Sequence, residues 1–156
     1  MTVEQKLVAR DALETFDVGA PYLSEGRLNV ALGATENMWI TLKVNAEGGE
    51  NATHTHMDED HFFIVLEGEV TFYNGDGEPT LLGAMQGIMI PRGVYYRYLN
   101  TGGRNLFLLR CGCKAENPAG VRRLDPEGKP LVGSSKKNKH IEGVPVFGKV
   151  FGRWAQ

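Results

Sequence analysis

Three of the four histidines fall within the eight residues His54-Thr55-His56-Met57-Asp58-Glu59-Asp60-His61. Imidazole nitrogen is the commonest protein ligand for Zn, Fe, Mn, Cu and Ni. In an extended strand, His54 and His56 project to the same side, so the pair presents two nitrogen ligands to one coordination sphere. His61 opens the next apolar run, in which His61, Phe63 and Val65 share one face and Phe62, Ile64 and Leu66 the other. If His61 sits on the face of the pair, it supplies a third nitrogen from the neighbouring strand. If it points away, the cluster reads as surface histidines beside an acidic loop, and the site as one that has lost its metal. Asp58, Glu59 and Asp60 read as a solvated turn, with one of them an oxygen ligand only if His61 faces outward. His140 stands alone in a basic stretch and is left out of the site.

The elements that must carry these residues are short and β-like. Twenty glycines are spread through the chain, and short apolar or alternating runs lie between them. Strands are expected over residues 27–31, 38–44, 61–66, 69–73, 80–82, 88–90, 95–100 and 105–111. Asn74-Gly75-Asp76-Gly77 is a strong hairpin turn, because Asn and Gly adopt positive φ at little cost. So many strands in so short a stretch point to a barrel or sandwich rather than a parallel α/β sheet. Residues 3–13 read as one short helix, with Val3, Leu7, Val8 and Ala12 on one face. By strand alternation Phe63, Val65, Met89 and Tyr98 line the interior, and Phe63, Met89 and Tyr98 are candidate walls of a substrate pocket.

With 156 residues the chain fits a single domain, read as an N-terminal arm over 1–26, a barrel over 27–114 and an extended tail over 115–156. The tail holds four prolines and the run Lys136-Lys137-Asn138-Lys139, read as a solvated surface. It also holds Val146, Phe147, Phe151 and Trp154, apolar surface that should dock on its own barrel or on a second subunit. The net charge of −2 carries no nucleic-acid footprint. The start lacks the charged and apolar regions of a signal peptide, and no stretch approaches a membrane span, so a cytoplasmic setting is expected. Cys111 and Cys113, two apart on one strand, are expected as free thiols.

The stretch Gly48-x5-His54-x-His56-x4-His61-x6-Gly68 resembles the first motif of the cupin superfamily, with His61 where the family usually has glutamate. Pro91-x-Gly93-x2-Tyr96-x3-Asn100 resembles the second motif, with Tyr96 at the position usually held by a fourth ligand, a histidine. The glycine that opens this second motif is displaced: Met85 stands six residues before Pro91. The likeness covers roughly residues 30–112. It implies an all-β double-stranded β-helix, or jelly roll, with one divalent metal ion per chain inside the barrel, and it commonly implies a homodimer.

Three neutral imidazoles would leave the metal's charge uncompensated and favour a small, anionic, chelating substrate. Tyr96 can be read as a phenolate ligand, as a hydrogen-bond donor or general acid/base beside the metal, or as packing. With Fe, the metal the resemblance favours, the site suits a dioxygenase. With Zn, Ni or Mn it suits an isomerase, lyase or cyclase. The rival reading is a non-catalytic cupin that binds a small molecule. Nothing in the sequence points to nucleic acid or membrane as a partner.

Overall fold

The computed structural model describes residues 6–114 and 123–155. Among the described residues twelve strands carry the fold: β1 (Gly19–Glu25), β2 (Arg27–Ala34), β3 (Met38–Asn45), β4 (Gly49–His56), β5 (Glu59–Glu67), β6 (Val70–Asn74), β7 (Pro79–Leu82), β8 (Gly87–Ile90), β9 (Tyr96–Asn100), β10 (Leu106–Lys114), β11 (Arg123–Leu124) and β12 (Val144–Gly152). One five-stranded sheet has the order β2-β3-β10-β5-β8 and a second the order β11-β4-β9-β6-β7, while β1 and β12 form a separate ribbon. Every strand pair is antiparallel.

The inner faces of the two sheets share one core. Phe63, Val65, Ile90, Leu106 and Leu108 come from the first sheet, and Val70, Phe72, Leu82, Tyr96 and Tyr98 from the second. Alternation puts Leu42, Val44 and Phe107 on the opposite face of the first sheet, and the ribbon covers them with Ala20, Leu23 and Phe151. The Phe107 and Phe151 rings stack with centroids 4.3 Å apart. Part of the apolar tail therefore docks on its own barrel. Phe147, 99% exposed, does not.

The Asn74 turn forms as its sequence implies: Asn74 Oδ1 accepts from the Asp76 and Glu78 amides, and Gly77 has φ +81°. Cys111 is buried and Cys113 exposed, both as free thiols.

The N-terminal helix is not found among the described residues; Val3 lies outside them. Leu7 instead forms a parallel bridge with Ala34, and the Val8 amide donates to the Ala34 carbonyl at 2.8 Å. Leu13 is fully exposed, so the proposed apolar face has nothing to pack on, and a helix that short needs packing to persist. The only helical turn among the described residues is the 3-10 turn Lys136–Asn138.

Candidate metal centre and its buried charge cluster

Five strands aim polar side chains into one end of the barrel. From β4 come Glu50, His54 and His56; from β5, Glu59 and His61; from β9, Tyr96; and from β3 and β10, Lys43 and Arg110. His61 faces inward, as β5 alternation requires, because its neighbours on that face, Phe63 and Val65, are fully buried. The three imidazoles meet: ring centroids are 5.2 Å apart for His54 and His56 and 4.3 Å for His56 and His61. The Tyr96 ring lies 4.5 Å from that of His54.

The donor atoms nevertheless group differently from the three-histidine expectation. His56, Glu59 and His61 each bring a ligand atom within 4.8 Å of the others, and His54 is not part of that group. Glu59 is 8% exposed and Asp58 1%, so these two are not the solvated turn that the sequence suggests. Glu59 belongs to β5 and faces inward with His61, where its Oε2 lies 2.9 Å from His61 Nε2. A carboxylate so placed can ligate a metal or fix the ring's tautomer.

His54 has its own partners. Its Nδ1 lies 2.8 Å from the Ala52 carbonyl, which only a protonated Nδ1 can satisfy. Its Nε2 stands 3.0 Å from Glu50 Oε2, yet both atoms are buried without an aligned hydrogen bond. A lone pair facing a carboxylate at that distance calls for a proton or a cation. This orphaned pair and the His56–Glu59–His61 group show that the donor chemistry fits a divalent ion.

Arg110 lies at the centre of the cluster, 7% exposed. Its Nη2 is 3.0 Å from His56 Nε2, 3.0 Å from His61 Nδ1 and 3.3 Å from the Tyr96 hydroxyl. Guanidinium only donates, so both imidazole nitrogens accept. For His61 the tautomer follows: Nε2–H donates to Glu59 and Nδ1 holds the lone pair. Nη1 of Arg110 donates to Glu50 Oε1 at 2.9 Å, and Lys43 Nζ donates to the same oxygen at 3.2 Å. Trp39 closes the cluster, its ring edge-on to His61 at 5.4 Å. Gly112 makes room for that indole, because a Cβ there would lie 2.4 Å from it.

Burial and the Arg110 charge hold His56 and His61 neutral, their pKa values pushed below the ordinary imidazole range. Burial raises the Tyr96 phenol well above its usual value. Burial works against Glu50 as an anion, but Arg110 and Lys43 overcome it and hold the carboxyl well below its usual range. Lys43 is pulled down to about 8, chiefly by burial against the counter-pull of Glu50. Above that pH the unfolded chain binds the Lys43 proton and the folded chain does not, so stability climbs with pH up to the ordinary lysine pKa. Urea unfolding should therefore show wild-type stability gaining about 2 kcal/mol over a Lys43→Met variant between pH 7.5 and 9.5. Parallel pH profiles would show that Lys43 stays charged in the fold.

Phe63 and Tyr98 are fully buried in the inner core. Met89 is a correction: it is 73% exposed. The β5–β8 register pairs it with Phe62 on the outer face, while Ile88 and Ile90 pair with Phe63 and His61 on the inner one. Sequence reasoning also passed over Lys43, Glu50 and Arg110. For Arg110 the signal is a charge within an otherwise apolar inward face, after Leu106 and Leu108; Lys43 and Glu50 have polar inward neighbours and carry no such signal.

Among the described residues, no helix is long and apolar enough to cross a membrane. Residues 39–109 match the family model described as the cupin domain. The uncharacterized protein YdbB of Bacillus subtilis (strain 168) is 43% identical over 75 residues, 48% of this chain. The match spans 65% of that relative's length. TT1209 from Thermus thermophilus is similar in structure, with a TM-score of 0.55 at 25% identity over 62% of this chain and 90% of that one. An uncharacterized conserved protein from Klebsiella pneumoniae with a double-stranded β-helix domain superposes with a TM-score of 0.53 at 20% identity, over 62% of this chain and 84% of that one. The two-sheet barrel, the histidine motif and these likenesses point the same way: residues 39–109 match a cupin domain, and the chain resembles double-stranded β-helix proteins in fold.

Proposed function

We propose that the protein is a metal-dependent enzyme acting on a small anionic organic molecule. The observation that carries this reading is the group of half-buried His56 with buried Glu59 and His61, whose donor atoms converge within 4.8 Å at the polar end of the barrel. His56 and His61 would hold the ion with Glu59, and His54 Nε2, 3.0 Å from Glu50 Oε2, is a further donor in the same cluster. A bound divalent ion supplies Lewis acidity toward a chelated oxyanion or, as iron, redox chemistry toward dioxygen. The reaction is then that of a dioxygenase, or of an isomerase, lyase or cyclase. The chain's own residues keep the His56 and His61 imidazoles neutral and place the Tyr96 hydroxyl on the same Arg110 Nη2 that meets them. Burial keeps that phenol protonated, so Tyr96 serves as a proton-bearing group beside the substrate. The free thiols suit a cytoplasmic setting. The exposed Phe147 on β12 suits burial against a second copy in a homodimer.

One observation favours a second reading. Arg110 already satisfies the His56 and His61 lone pairs, as a metal-free, non-catalytic binding protein would require. Elemental analysis of untagged protein purified without chelator separates the two. The enzyme reading expects about one Fe, Zn, Ni or Mn per chain, lost on His56→Ala. A wild-type protein that takes up no metal on reconstitution would leave the binding protein.

A further inference from the structure

We propose that Arg123 is a carboxylate-binding residue of this site and that the molecule admitted to the barrel carries a carboxylate group. The inference builds on the reading above, which asks for an anionic molecule without saying which group it bears or what holds it.

Arg123 is positioned by the tail, not by either motif. It begins β11, whose short pairing with β4 sets Arg123 opposite His56 and Leu124 opposite Thr55. Residues directly paired across antiparallel strands project to the same face, with Cβ atoms roughly 5 Å apart. His56 faces the barrel interior, so Arg123 stands beside it on that face. Its position is fixed from the other side too: the Leu131 amide donates to the Arg123 carbonyl at 3.1 Å. A Cβ on Gly133 would lie 2.7 Å from Arg123 Nη1, so the absence of a side chain there accommodates the guanidinium. The charge of Arg123 reaches Tyr96 and Lys43, placing it within electrostatic range of the cluster.

What marks Arg123 as a binding group is which of its atoms lack partners. Nε and Nη2 are both buried and, among the described residues, neither has a hydrogen bond. These two nitrogens form one edge of the guanidinium, with parallel N–H bonds spaced to meet both oxygens of a carboxylate. A buried donor left unpaired is costly, and two on one edge of a cation are more so. Arg110 differs in having only its Nε without a partner among the described residues: its Nη1 and Nη2 are taken up by Glu50, His56, His61 and Tyr96. Glu50 Oε1 already takes both Arg110 Nη1 and Lys43 Nζ, leaving the Arg123 edge as the open anion position. A carboxylate held there lies beside His56, so the rest of a small molecule falls among the imidazoles and Tyr96.

The test is a binding titration of the full chain with acetate, pyruvate and benzoate, and with acetamide and benzamide as neutral counterparts. Calorimetry gives the affinity, and the Arg123 Nε–H resonance, assigned with Arg123→Lys, reports contact. Wild type should bind at least one of the three acids, more tightly than the amides, and shift that resonance. Arg123→Met should lose about 10- to 100-fold in affinity, the worth of a charge-assisted bidentate pair. Arg123→Lys, which keeps the charge without the fork, should fall between. An unchanged amide spectrum of the variants confirms that they fold. No acid binding to wild type, equal binding of acids and amides, or an Arg123→Met variant that binds as wild type would each overturn the proposal. Repeating the titration on chelator-treated protein separates the two readings. Arg123-dependent acid binding in a protein that takes no metal would sustain this proposal and remove the enzyme. Metal uptake without Arg123-dependent acid binding would do the reverse.

Discussion

Replacing Glu50 by glutamine should cost about 3–5 kcal/mol of stability, the loss found when one partner of a buried charge pair is removed. At roughly 2–4 °C per kcal/mol for a chain of this size, the melting midpoint should fall by about 10 °C or more. Glu50 is the shared acceptor of two buried cations: Oε1 takes Arg110 Nη1 at 2.9 Å and Lys43 Nζ at 3.2 Å. Glutamine keeps the shape but not the charge. Lys43 can respond by shedding its proton, since burial has already brought it to about 8. Arg110 has no such escape, because guanidinium does not deprotonate in proteins. It would remain charged and buried with only neutral acceptors around it. The double variant Glu50→Leu with Arg110→Met removes both charges and should recover much of the loss, because buried pairs replaced by apolar groups of similar volume are often near neutral. A thermodynamic cycle from urea unfolding of the singles and the double measures the coupling. A Glu50→Gln loss below about 1 kcal/mol would mean that water, not Glu50, compensates Arg110.

Much of this site was legible in the sequence, for reasons specific to its residues. The period of two in a strand makes facing predictable once one residue is anchored by the core. The sequence put His61, Phe63 and Val65 on one face and His54 and His56 on another, but left open whether His61 faces the pair; the full burial of Phe63 and Val65 in the fold gives its direction. Met89 failed under the same rule, because β8 is only four residues long and alternation alone does not reveal its phase. That phase comes from its register with β5, a long-range fact. Glu59 was hidden by two acidic neighbours: three carboxylates in a row read as a wet turn, yet β5 begins inside the run and turns Glu59 inward. The N-terminal helix failed because its apolar periodicity had no packing partner, whereas a bridge to Ala34 was available. Lys43, Glu50 and Arg110 lie on three different strands, and only the tertiary fold makes them a cluster. Arg123 was the least legible of all, since its role rests on a two-residue pairing with β4.

Arg110→Met should tighten divalent metal binding by about 100-fold or more. A lone pair cannot serve a guanidinium and a metal together, and Arg110 Nη2 holds the lone pairs of His56 Nε2 and His61 Nδ1, each at 3.0 Å. An ion entering there must displace those two hydrogen bonds and then tolerate a fixed positive charge close by. Two unit charges 4 Å apart repel by about 4 kcal/mol at an effective dielectric of 20, and a divalent ion meets more. Methionine removes the charge and keeps an apolar stem of similar reach, while Lys43 still neutralises Glu50. Competition of the untagged protein against a chromophoric chelator, with Zn²⁺ as the probe, reads the affinity directly and needs no substrate. In wild type the same competition should show tighter Zn²⁺ binding when acetate or benzoate is present, because an anion offsets the repulsion that Arg110 imposes. Weaker metal binding by the variant would give the opposite physics: Arg110 would then be holding the two imidazoles in place, and losing their orientation would cost more than losing the repulsion gains. The sign of the change decides whether the buried arginine competes with the metal or prepares its site.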